Sequence, residues 1–260
     1  MMMYPVLLPN GYEPSLTEVM VGGVVFFGTI YFGFALLNLL LQKGLRTLGI
    51  GRVLDPRPLR PQQVWREIGW SSLSILLFGT GMVFPWMVLK LGWSHAVMDA
   101  GIPRILLEML ALLLWNDIHF YLNHRLLHTR WMLPRFHVQH HRSHVTTPFS
   151  TYAFHPVEAL LLGNVLLLPM IVHDFSWQAM LSLPLLSLLL NNIGHANYDP
   201  FPAQGGRSWL TSSRRHHLHH ACSRGNFGFL LPFMDQLFHT DLPDDAADRV
   251  LQAHQSRHAA

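Results

Sequence analysis

The chain has 260 residues, half of them apolar and only 13% charged, with a net charge of +3. A soluble domain carries about a quarter charged residues, so this composition excludes an ordinary soluble fold and points to a bilayer protein. The single cysteine, Cys222, excludes an intrachain disulfide and any cysteine-held zinc or iron–sulfur centre.

Met1 to Leu16 has no Lys or Arg, and no small-residue cleavage site follows the apolar run, so the start does not read as a cleavable signal peptide. Val19 to Gln42 then runs 24 residues without a charge, long enough to cross a hydrocarbon core. Residues 43–67 form a basic connection whose Pro56, Pro58 and Pro61 argue against one continuous helix. A second span is expected over Ile68 to Leu89 and a third from Ile105 to about Leu122. Pro156 to Asn192 reads as a helical hairpin with its tip at His173–Asp174, each arm about 26–30 Å long as helix. His155 and His195 bracket the hairpin and so return to one membrane face. Residues 241–260 form a polar tail.

Sixteen of the eighteen Lys and Arg residues fall in 43–66, 125–142 and 207–257, leaving only Lys90 and Arg104 on the other side. The positive-inside rule therefore puts those basic segments in the cytoplasm and the N-terminus outside. The pattern predicts an all-α integral membrane helical bundle, with about four to five transmembrane helices and a cytoplasmic histidine-rich helical cap.

Histidine is the anomaly: its 18 copies equal the Lys plus Arg total. His124-Arg-Leu-Leu-His128 closes the third span, and a spacing of four puts both rings on one helix face. Asp117 lies on the same stripe, placed to accept a second ring N–H from a ligand. His137-Val-Gln-His140-His141 and His216-His217-Leu-His219-His220 are each H-x-x-H-H. Adjacent helical residues diverge by about 100°, so a doublet such as His140–His141 reaches two different ions. Imidazoles from separate segments on one face predict a metal site holding two ions, each with about four or five nitrogens. Nitrogen ligation alone leaves zinc, copper and iron open.

These motifs, in order, resemble the fatty acid hydroxylase/sterol desaturase superfamily, nearest its sterol C5-desaturase and C4-methyl sterol oxidase branches. The matching stretches run from Asn116-Asp117 through the histidine motifs, with Phe154-His155-Pro156-Val157-Glu158, Gly194-His195, Asn226-Phe227-Gly228 and Asp235-Gln-Leu-Phe238. The resemblance implies a membrane di-iron enzyme that hydroxylates or desaturates a lipid with O2 and two external electrons. It implies two iron ions, with zinc as a substitute in a purified sample. Carried over, the ligands and catalytic residues are His124, His128, His137, His140, His141, His195, His216, His219 and His220. His155 joins them as a metal ligand. His217 is expected beside the site, and His119, His144, His173 and His239 outside it. Some relatives have a histidine where this chain has Asp199, leaving Asp199 as a ligand or a hydrogen-bond acceptor.

Residues 1–104 are expected to supply N-terminal membrane helices and a basic cytoplasmic loop, and 105–240 the catalytic domain. A lipid would arrive from the bilayer past Trp115, Phe120, Tyr121, Phe149, Tyr152 and Phe154. Arg125, Arg130, Arg135, Arg142, Arg214 and Arg215 surround the cluster, placed either to dock an acidic electron donor or to anchor on anionic lipid. No nucleotide or haem-attachment motif is visible, so electrons are expected from a cytochrome b5 or ferredoxin with its reductase, and no nucleic acid is involved. Without a retrieval tail, the expected location is a bacterial inner membrane with the active site cytoplasmic. Two other classes use membrane histidines: a metal transporter, which places ligands at mid-membrane depth, and a b-type haem electron carrier.

Overall fold

The computed structural model describes Val6 and residues 11–205, 207–243, 245, 246 and 249. Among these the chain is helical, with one two-residue strand pair. The polar tail expected at 241–260 lies largely outside the described residues.

Helix α1 (Leu16–Thr47) opens on a capping box, in which Ser15 accepts from the Glu18 backbone and Glu18 reaches back to the Ser15 backbone. Helices α2 (Pro61–Gly81) and α3 (Val83–Lys90) form one apolar column broken at Met82. Pro85 causes the break, because its ring collides with the carbonyl four residues back, at Gly81. Helix α4 spans Ile102–Leu127. These three columns, Leu16–Thr47, Pro61–Lys90 and Ile102–Leu127, are long and apolar enough to cross a membrane. Their outward faces carry exposed leucines such as Leu36, Leu40, Leu106 and Leu107, as lipid contact requires.

The expected hairpin is present, with one arm interrupted. Its first arm is α6 (Pro156–Gly163) and α7 (Leu167–Val172), and its second is α8 (Trp177–Gly194). The tip is at His173–Asp174. There Glu108 of α4 accepts from the Ser176 backbone and hydroxyl at 2.7 and 2.5 Å and pairs with Arg104 and His173. Lys90 pairs with Glu13 at the same pole. The polar tip is thus neutralised and bonded at one end of the bundle.

At α1 and α2 the backbones touch. A Cβ on Gly23 would overlap the Gly79 carbonyl, and one on Gly79 would overlap the Val24 backbone. Glycine at both positions lets the antiparallel pair close. Phe27, Tyr31 and Ile75 then pack with Tyr152, Phe154 and Leu188 into the core.

The opposite pole gathers the segments that carry the histidines. Tyr31 of α1 and Ser71 of α2 both donate to the Phe149 carbonyl, at 2.8 and 3.0 Å. Glu67 accepts from Ser143 and Thr147 at 2.6 and 2.5 Å. Asn38 donates to the Asn192 side chain of α8, and Asn192 donates to the Pro148 carbonyl. Strand β1 (Arg52–Val53) pairs antiparallel with β2 (Tyr198–Asp199), fastening the connection after α1 to the segment after α8. Membrane helices and loops share one polar lattice. It holds the chain from Ser143 to Thr151 still, directly after two of the predicted ligands.

Candidate metal centre

Five elements supply the site. The end of α4 carries His124 and His128. A π-helical turn (Leu133–His137) leads into the short α5 (Val138–His141), and α9 (Ser212–Cys222) carries the last motif. His195 stands at the C-cap of α8.

The structure sorts nine of the expected histidines into two adjoining groups. His124, His128, His137, His141 and His219 form one; His140, His195, His216 and His220 form the other. Within each group the ligand nitrogens lie within 4.8 Å of one another. His141 Nε2 is 3.0 Å from His128 Nε2 and 3.1 Å from those of His137 and His219. In the second group His216 Nε2 is 3.1 Å from those of His195 and His220.

Outward nitrogens fix how the rings face. His124 Nδ1 donates to the Phe227 carbonyl at 2.9 Å, His195 Nδ1 to the Asn191 carbonyl at 2.9 Å, and His219 Nδ1 to the Gly225 carbonyl at 2.6 Å. A carbonyl only accepts, so each of these rings carries its proton outside and turns a lone pair inward. Lone pairs facing each other near 3 Å repel unless a cation sits among them. The buried Nε2 of His124 has no hydrogen-bond partner in the protein. Burial and neighbouring imidazoles hold His140, His141, His216, His219 and His220 well below the usual histidine range, leaving them neutral. Neutral, inward-facing and crowded, the donor set fits two transition-metal ions.

Asp117 and Asp235 act on this centre through the main chain. Asp117 does not orient a ring; its oxygens accept from the Leu230 and Leu231 backbones at 2.8 and 2.9 Å. Asp235 accepts from the backbones of Phe227 and Gly228. Together they clamp the loop that offers its Gly225 and Phe227 carbonyls to His219 and His124. Ser223, Gly225 and Asn226 take positive φ there, turning the loop back on α9. No ligand spacing marks this support in the sequence; the Ser-Arg-Gly-Asn run after the histidines is its one local signal, that of a turn.

Other expectations change. His155 is in neither group. Its Nδ1 accepts from the Val157 backbone as the N-cap of α6, and its ring lies against Phe136 and Trp70. Asp199 is an acceptor rather than a ligand, bonded to Arg214 and to the Phe201 backbone. His217 is buried outside both groups. Among the residues expected along a lipid path, Phe120 and Phe154 border the small closed space beneath the histidines. Trp115 instead donates to the Val165 carbonyl, Tyr121 stacks on Phe238, and Tyr152 stacks on Tyr31 within the core that Phe149 packs against. Arg125, Arg130, Arg135 and Arg142 are exposed, whereas Arg214 and Arg215 are buried and hold carbonyls and Asp199. His119, His144, His173 and His239 lie outside both groups, as expected.

Fold and site define a helical membrane protein with a buried histidine cluster, able to hold metal, at one end of its bundle. The sequence profile of the fatty acid hydroxylase family matches residues 109–240. The chain belongs to that family and is an enzyme acting on lipids. It is 27% identical over 256 residues to a Delta(7)-sterol 5(6)-desaturase of Eremothecium gossypii, covering 87% of this chain and 69% of the relative. It is 30% identical over 210 residues to a very-long-chain aldehyde decarbonylase of Oryza sativa subsp. indica, covering 73% of this chain and 32% of that relative. A further Delta(7)-sterol 5(6)-desaturase, of Schizosaccharomyces pombe, is 24% identical, with 94% and 79% covered. No solved structure matches.

Proposed function

We propose that the chain is a membrane-bound non-haem di-iron oxygenase that hydroxylates or desaturates a sterol or fatty acyl lipid, using O2 and external electrons. The observation that carries it is the division of nine imidazoles into groups of five and four with their lone pairs converging. More nitrogens are present than two tetrahedral zinc sites use, which favours iron. Bound iron supplies the redox chemistry with O2 that removes hydrogen from an unactivated C–H bond. The protein's own part is to grip two cations with buried neutral rings and to keep water out. Phe120, Leu127, Phe154 and Leu162 put apolar side chains beside the rings of His124, His137 and His140, which supports a hydrocarbon substrate.

Electrons come from a partner, a cytochrome b5 or ferredoxin with its reductase, docking on the exposed Arg125, Arg130, Arg135 and Arg142. The charge distribution supports a site on the cytoplasmic side of the membrane. We assign residues 1–104 to membrane anchoring with its basic loop and 105–240 to catalysis.

The transporter reading is weaker, because the histidines gather at the ends of the spans rather than at mid-depth. A haem carrier is weaker still: nitrogens 3.0–3.4 Å apart leave no room for a porphyrin between them. Metal analysis of the purified chain, its optical spectrum, and lipid profiling of cells with and without it test the proposal together. About two irons per chain, no Soret band and a newly hydroxylated or unsaturated lipid are expected. A Soret band, or an unchanged lipid profile from an iron-loaded protein supplied with a donor, overturns it.

A further inference from the structure

Of the nine grouped imidazoles, His137 has a carboxylate at its outward nitrogen. Glu158 Oε1 of α6 lies 2.9 Å from His137 Nδ1, and both side chains are 1% exposed. The approach is close but not aligned as a hydrogen bond, and Glu158 Oε2 is buried with no partner at all. Among the described residues no Lys or Arg pairs with this carboxylate. Burial without a cation drives a carboxyl toward its neutral form, so Glu158 stays charged only beside a positive charge. The cations nearest to hand are those the five-histidine group is built to hold.

We infer that Glu158 is the counter-charge and positioning carboxylate of the five-histidine site, acting through His137, and that it makes the two metal ions unequal. The inference rests on the two-ion reading above. A carboxylate 2.9 Å from Nδ1 favours the His137 proton on that outward nitrogen, which leaves Nε2 as the inward donor. Among the described residues, no member of the four-histidine group has a carboxylate in ion-pair contact with its ring, and His195 there rests on a carbonyl. One group therefore has a carboxylate in direct contact with a member ring, and the other has none.

The test uses the full chain in detergent, stripped of metal and titrated with Co2+ while the visible spectrum is followed. The wild-type chain should take two ions. Glu158→Gln keeps the shape and an acceptor but removes the charge; it should weaken one ion about 10- to 100-fold and leave the other in place. Glu158→Asp, which restores the charge, should recover part of that loss and also decides the matter if the Gln variant does not fold. His155→Ala, at the same helix start, should change neither ion. Equal weakening of both ions, or wild-type affinities in both Glu158 variants, overturns the inference while leaving the two-ion reading intact. Failure of the wild-type chain to bind Co2+ overturns both.

Discussion

His140 and His141 are neighbours in the chain, yet their rings stand at 89° with centroids 5.9 Å apart and belong to different groups. His219 and His220 repeat the relationship, also at 89° and 5.9 Å. Each H-x-x-H-H motif is thus a bridge spanning both sites, and the two motifs together tie the centre shut.

Single substitutions in a doublet should therefore remove different ions. His140→Ala is expected to weaken the four-histidine site and His141→Ala the five-histidine site, each variant holding about one ion under limiting metal. Both should remain inserted in the membrane and lose turnover. Metal-to-protein ratios that stay at two in either variant contradict the grouping.

His155→Ala tests the boundary of the site from outside. Its loss removes an N-cap, which costs about 0.5–2 kcal/mol of stability, without altering metal content. A drop in bound metal would return His155 to the ligand set.

Asp117→Ala strands two backbone N–H groups, those of Leu230 and Leu231, at part-buried positions, at a cost of up to about 1–3 kcal/mol each. The loop carrying the Gly225 and Phe227 carbonyls should loosen. Thermal unfolding should fall, and metal affinity should fall with it, although Asp117 touches no ligand ring.

The metal-free chain should be sensitive to acid. Burial holds the grouped histidines below the ordinary value of 6.5, so the unfolded chain takes up protons that the folded chain refuses. Stability is therefore full above that value and is lost as pH falls through it, by up to about 1.4 kcal/mol per pH unit for each such residue. Unfolding of chelator-treated protein, followed from about pH 8 to about pH 5, checks the sign. A stability that rises with acid contradicts neutral burial.

Gly79→Leu drives a side chain into the Val24 backbone of α1, where a single methyl already has no space. Overpacking of this kind costs about 1–3 kcal/mol or more. Reduced yield of folded protein, with the smaller loss in Gly79→Ala, is the expected result.

Much of the centre was legible in the sequence because its information is periodic. Spacings of three and four at His137/His140/His141 and His216/His219/His220 dictate one helix face, and adjacency dictates two directions. The uncharged run from Val19 to Gln42 and the asymmetric basic residues were equally readable. What periodicity cannot carry is contact between distant segments. Asp117 looks helically aligned with His124, but its oxygens are taken by the loop at Leu230, 113 residues away. His155 matches a motif position, but its place at the first turn of α6 leaves it capping a helix. The break at Met82 follows from Pro85, a local rule that a hydropathy run hides. In the sequence Glu158 is simply the one charge in the first arm of an apolar hairpin; only the fold brings it to His137.

The two-residue strand pair between Arg52–Val53 and Tyr198–Asp199 has a consequence for how the polypeptide can be divided. With Tyr31, Asn38 and Glu67, it makes the first hundred residues a scaffold on which the histidine-bearing half is hung. A fragment starting at residue 105 would keep every grouped imidazole and still lose the struts that aim several of them. The enzyme is one mechanical object, and its anchor cannot be exchanged as a removable handle.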